Sequence, residues 1–439
     1  MSWPSTPGPT NYQHPFPNYQ LNDLHQAMDY NAAGEPIIRV ATYPGSESST
    51  FGTADAFGRG RVATPYTLFD SAFLGGDNGF FDTATSGTAS ASWQAYQSVI
   101  DMTVGTASGD EVIRQSKRVF PYQPGKSLEI FNSFCFNTPK TNLRQRVGYF
   151  TAYNGVYFEA DGTTLNLVIR KQTGASTYTE DRVSQTNWNN DPLNGTGTSG
   201  ITLDPSLVQI FYCDIEWLGV GSVRCGFIIN GVFILAHTFN HANVAGNTTT
   251  YMESAQQSIR LEITNTGTTA SSSTMKQICC SVISCGGYEN VSVQNSAGRG
   301  LTYYTMSTAG TFYNLVSLRL TADGLDKCAV PDAIAILTDS NQNMQYRIIL
   351  NPTFSGALTW TSSTTFVEST TSNVTVTGGT VISTGFIVNK GEPATLSGLN
   401  PLAYQLGRTI AGVSDILCIA VTADSNNVKL GGDISWIEF

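Results

Sequence analysis

The chain has 439 residues, only 13% of them charged, and a formal charge of −10. Phosphate contacts need clustered Lys and Arg, and the largest basic group is Gln115-Ser116-Lys117-Arg118, so a nucleic-acid-binding surface is excluded. No run of about 18 apolar residues exists to span a membrane, and 42 Gly, 19 Tyr and 22 Phe with so few charges describe a β-rich protein surfaced by Ser, Thr, Asn and Gly.

Residues 1–58 carry prolines at positions 4, 7, 9, 15, 17, 36 and 44. Proline withholds a backbone donor, and an extended segment must find its partners elsewhere. The expectation is an anchoring arm that lies on a neighbouring subunit through Trp3, Pro4, Tyr12, Pro15, Phe16 and Tyr19. A short helix is expected at Leu21–Met28, and the opening MSWPSTPGPTNYQHPFPNYQ has neither the basic nor the apolar region of a secretory leader.

Over 59–287, strand-like runs follow one another at Arg61–Phe69, Trp93–Val104, Glu111–Phe120, Ser127–Phe136, Gln145–Ala152, Gly155–Ala160 and Thr164–Lys171. They continue through Leu207–Phe239, Ser258–Thr264 and Gln277–Ser284, with turn signals such as Asn154-Gly155 and Asp161-Gly162 between runs. This cadence predicts an all-β fold, a large antiparallel sandwich of jelly-roll or lectin-like type. A turn-rich linker at 288–300 leads to shorter runs over 301–439, which predict a smaller C-terminal sandwich. Within Leu207–Phe239, Asn230-Gly231 predicts a type I′ hairpin turn. The apolar runs on either side place that hairpin in the middle of a sheet covered on both faces.

The eight cysteines (135, 213, 225, 279, 280, 285, 328 and 418) mostly sit in apolar runs without CxxC pairs, so they read as reduced core residues. His237 and His241 would stand about 13 Å apart on a strand and lack a third ligand, so a structural or interfacial role is expected and no metal or cofactor. Asp77, Asp161 and Asp191 lie in Gly/Asn-rich loops that suit calcium, although a lone acid in a turn is usually a turn former. Trp93, Trp188, Trp217 and Trp360 are either sugar-stacking platforms or buried sandwich residues. Trp188 and Trp360 are the glycan-binding candidates.

One strand carries a possible acid/base pair. In Tyr212-Cys213-Asp214-Ile215-Glu216-Trp217, residues 212, 214 and 216 share a face, with the carboxylates about 6–7 Å apart at Cβ. This motif resembles that of laminarinase-like jelly-roll glycosidases, which implies the middle aspartate at Asp214 and the acid/base at Glu216. Tyr212 falls where that family has its nucleophilic glutamate, so the covalent step of a retaining mechanism is missing. The structural alternative leaves these acids on a solvated or subunit-facing strand face, with Arg224 on the neighbouring strand as a partner.

Three blocks, FGRGRVATPYTLFDS (57–71), RQSKRVFPYQPGKSLEIFNSF (114–134) and FYCDIEWLGVGSVRCGFIINGVFILAHTFNHAN (211–243), together with the closing CIAVTADSNNVKLGGDISWIEF, resemble structural proteins of tailed phages of aquatic bacteria. The resemblance implies a non-enzymatic virion protein of fibre, spike, capsid- or tail-associated type. It would be an oligomer, a trimer first, bound through its arm to other virion proteins, with host surface glycan as a further partner. The alternative is a carbohydrate-binding or carbohydrate-cleaving sandwich.

Overall fold

The computed structural model describes residues 65–289, 291–339, 341–387 and 404–439 and three short strands, Met28–Tyr30, Pro36–Ile38 and Ala394–Thr395. The residues expected to anchor the arm lie outside these. So does the helix expected at Leu21–Met28, except that Met28 opens the first strand, which pairs antiparallel with Pro36–Ile38. That hairpin belongs to the unit Met1–Thr50, while Phe51–Phe439 form a second compact unit.

Two antiparallel sheets pack face to face in the first half of the second unit. The seven-stranded sheet runs in the order Thr177–Ser184, Thr164–Gly174, Gly155–Asp161, Leu143–Phe150, Ile259–Asn265, Glu111–Ser116, Phe81–Ser86. The eight-stranded sheet has Gln209–Ile215 and Ser127–Cys135 near its centre, followed by Ser273–Cys285, which also pairs with Pro65–Ala72. Period-two alternation sends Val147, Tyr149, Val156, Phe158, Leu261 and Ile263 from the first sheet to the apolar core. Leu128, Ile130, Phe134, Phe211 and Phe227 meet them from the second, and Phe158 lies edge-on to Phe227 at 5.1 Å between ring centroids. The chain is thus all-β, with a large antiparallel sandwich. Gln185–Asn187 forms a short 3₁₀ segment, and among the described residues no helix is long and apolar enough to cross a membrane.

The hairpin at Asn230-Gly231 forms as expected, with φ of 53° and 77° and Ile229 opposite Val232. Its expected place in the middle of the sheet does not hold, because Val232–Phe239 is the outermost strand. The backbone N–H groups of Asn190 and Asp191 both donate to Ala236 O at 3.1 Å along that edge. The apolar composition therefore reflects burial of the strand's faces, and a loop supplies the partner that a further strand would have given. The run Trp93–Val104 also divides, into Ser90–Gln94 and Val99–Val104, at a turn where Ser98 takes φ 54°.

Beyond residue 290, a five-stranded and a six-stranded sheet enclose a separate core that includes Leu315, Leu318, Ile336, Ile419, Val421 and Trp436. The two cores meet through a small apolar cluster of Val119, Cys328 and Val330, flanked by Tyr288 and Phe439. Gln405 Nε2 donates to Val119 O at 2.6 Å, and Arg408 N donates to Lys117 O at 2.7 Å.

Candidate functional site

The acidic strand Gln209–Ile215 lies between Ser127–Cys135 and Val223–Ile229. Its register sets Asp214 opposite Arg224 on one side and Glu129 on the other. Asp214 is fully buried, and its Oδ2 forms an ion pair with Arg224 Nη2, whose own side chain is 11% exposed. Tyr212 is also fully buried. Its hydroxyl donates to Glu129 Oε1 at 3.0 Å, and its ring packs against Phe131 and Phe233. Glu216 falls just past the strand, where its N–H donates to Ser222 O at 3.2 Å and its side chain is half-buried. The strand ends at Ile215, so Glu216 lies one residue beyond the run that carries Tyr212 and Asp214. A carboxylate hydrogen-bonded to a guanidinium across two adjacent strands holds them in register.

A denser charged array lies on the seven-stranded sheet, on the face opposite the core. Arg146 sits opposite both Glu159 and Glu262, with Nε donating to Glu159 Oε2 at 2.7 Å and Nη1 to Glu262 Oε2 at 3.1 Å. Arg260 Nη2 reaches Glu262 Oε1 at 2.6 Å, and Arg170 Nη2 reaches Glu180 Oε1 at 2.9 Å. Tyr157 donates to the same Glu180 oxygen at 2.6 Å. Burial opposes ionisation of Glu262, but the guanidinium groups of Arg260, Arg146 and Arg170 outweigh it and hold the carboxyl at about 2. Such a group neither gives nor takes a proton near neutrality. The array clasps five strands, and Arg146 meets partners 13 and 116 residues away in the chain, so no local sequence signal marks it.

The other candidates are dispersed. His237 Nδ1 accepts the Asn189 N–H at 3.1 Å, and His241 Nδ1 lies 2.7 Å from Gly221 O with its ring stacked on Tyr251. Burial lowers the proton affinity of both imidazoles. Among the described residues no group of three potential ligands converges on a point. Asp191 closes its own loop by accepting from Leu193 N at 2.9 Å and Ser199 N at 2.8 Å. Asp77 pairs with Arg114 Nη1 at 2.9 Å, and Asp161 ends the Gly155–Asp161 strand.

Trp188, named above as a glycan candidate, is 5% exposed and lies against Phe158 and Phe227, so its ring is core rather than surface. Trp93 Nε1 donates to Phe73 O at 2.8 Å, and Trp217 packs edge-on to Tyr122. Trp360 is half-buried beneath the Arg319 guanidinium, 4.2 Å from its ring centroid. Arg319 continues to Glu368 at 2.7 Å.

No protein-family model matches the chain, and no curated protein sequence matches it. Solved structures similar in outline include the carbohydrate recognition domain of Emp47p, at 10% identity and a TM-score of 0.31 over 50% of this chain and 96% of that one. A protein of unknown function from Shewanella oneidensis MR-1 is similar at 12% identity and 0.33, over 57% of this chain and 100% of that one. A glycoside hydrolase family 16 enzyme from Bacteroides ovatus, solved with a glucan product, is similar at 12% identity and 0.30, over 49% of this chain and 99% of that one. These are distant likenesses of layout and identify neither a family nor an activity.

Proposed function

We propose that this chain is a non-enzymatic structural protein of a virus particle, a fibre, spike or capsid- or tail-associated component of a tailed phage. Residues 1–58 would anchor it, and the body would contribute to host attachment. The reading rests on the resemblance of the four sequence blocks to phage structural proteins, together with the way the sheet that holds most of them uses its polar groups. Pro65–Ala72, Ser127–Cys135, Gln209–Ile215, Val223–Ile229 and Val232–Phe239, all overlapping those blocks, belong to one eight-stranded sheet. Within it, Asp214 pairs with Arg224 and Tyr212 with Glu129 across strands. Polar groups committed to cross-strand pairing serve a scaffold, whereas an acid/base pair needs one carboxyl with a raised proton affinity and access to substrate. A closed homotrimer is the assembly we put forward, since symmetric closure buries repeated surfaces without open-ended growth.

Deletion of residues 2–50 is expected to leave a soluble, folded body that is absent from purified particles. Particles that still carry the truncated protein would overturn the anchor. Glycan hydrolysis by the native chain that is lost in an Asp214→Asn, Glu216→Gln variant would overturn the non-enzymatic reading.

A further inference from the structure

A shallow, solvent-open depression of about 570 Å³ lies in the C-terminal region, between the turn after Tyr313–Leu320 and the hairpin joining Thr361–Ser362 to Val367–Thr370. Every lining residue is Ser, Thr, Ala, Asp or Glu. We propose that this depression binds a neutral, hydroxyl-rich ligand, a short glycan.

The walls are braced before any ligand arrives. Thr321 donates through its N–H to Phe366 O at 2.9 Å and through its hydroxyl to Thr365 O at 2.8 Å. Ser363 N and Thr364 N both donate to Val367 O, at 3.0 and 3.1 Å. Thr364 Oγ1 accepts from Phe366 N and Val367 N while donating to Glu438 Oε1 at 2.5 Å. A rigid polar wall loses little freedom on binding.

The groups left to face the depression set the ligand class. Glu368 Oε2 receives Arg319 Nε and Nη2, both at 2.7 Å. Oε1 accepts nothing from the described residues. Arg319 is itself pinned over Trp360, so Glu368 is fixed in direction and its charge is balanced. Asp323 is exposed in the facing turn, and the Ser362 and Thr365 hydroxyls stand on the hairpin. Carboxylates accept hydrogen bonds in pairs and hydroxyls both give and accept, which matches neighbouring sugar hydroxyls. No cationic side chain lines the depression, so a phosphate or an acidic sugar would meet repulsion. Ala322 and the threonine methyls offer too little apolar surface for a hydrophobic ligand. This site goes beyond particle membership and does not depend on it, so its failure would leave the structural role untouched.

The test is calorimetric titration of the full chain with cellotetraose, chitotetraose, mannotetraose and lactose. Sialyllactose is the anionic control and spermidine the cationic one. At least one neutral saccharide is expected to bind. Asp323→Ala is expected to weaken it about tenfold, the loss of one charge-assisted hydrogen bond. Ser362→Trp, which fills the depression, is expected to abolish binding, while the remote exposed substitution Tyr96→Ser leaves it unchanged. The proposal is overturned if no neutral saccharide binds, if both depression variants bind as the native chain does, or if spermidine or sialyllactose binds in place of the neutral sugars.

Discussion

Asp214 and Arg224 stand directly opposite one another on adjacent antiparallel strands and form an ion pair with the carboxylate fully buried. Removing one member of such a pair strands the other charge in a medium that solvates it poorly. Asp214→Ala is therefore expected to cost about 3 kcal/mol in urea unfolding, and the Asp214→Ala, Arg224→Ala double variant much less than the sum of the two singles. Additive losses would mean that the two side chains do not act on each other.

Glu262 supplies a pH dependence whose sign is fixed. Its carboxyl is held at about 2 in the folded chain, against an ordinary value of 4.5. A lowered carboxylate adds stability above the unfolded value, and that stability is lost as pH falls through the folded one. The contribution is about 3 kcal/mol in full, from about 1.4 kcal/mol for each pH unit of separation, and it should fade between about pH 4.5 and about 2. Thermal melts across that range should fall less steeply for Glu262→Gln than for the native chain. Parallel curves would refute the clasp.

Two glycines of one hairpin separate backbone strain from steric overlap. Gly231 has φ 77° and open space around it, so Gly231→Ala should cost about 1 kcal/mol from the left-handed backbone alone. At Gly226 an added Cβ would overlap the Ile234 carbonyl oxygen. Gly226→Ala should therefore lower the urea midpoint well beyond Gly231→Ala, and equal midpoints would contradict the packing at Cys225/Gly226, where the register shifts.

Of the eight free thiols, Cys279 is the exposed one. Cys213 and Cys225 face each other with sulfurs 3.7 Å apart, and burial above all pushes the Cys213 thiol well above its usual range. Titration of the folded chain with an aromatic disulfide reagent should show Cys279 reacting first and Cys213 only on unfolding. Early labelling of Cys213, located by peptide mapping, would show that the core opens readily.

The sequence by itself determined the all-β class and the hairpin at Asn230-Gly231, because period-two alternation and turn-forming dipeptides are local properties of the backbone. It also determined that Asp214 and Tyr212 share a strand face, and it raised Arg224 as a partner. The tertiary structure decided which strand lies at the edge, because Val232–Phe239 is completed by Asn190 and Asp191 through contacts 45 or more residues away in sequence. It decided that Trp188 lies in the core and that Arg146 joins Glu159 and Glu262. It also brought Thr321 and Asp323 against Ser362 and Glu368 around one depression. Each of these depends on strand order and register, and a chain's local pattern constrains which way a side chain points far more tightly than which distant residue it will meet.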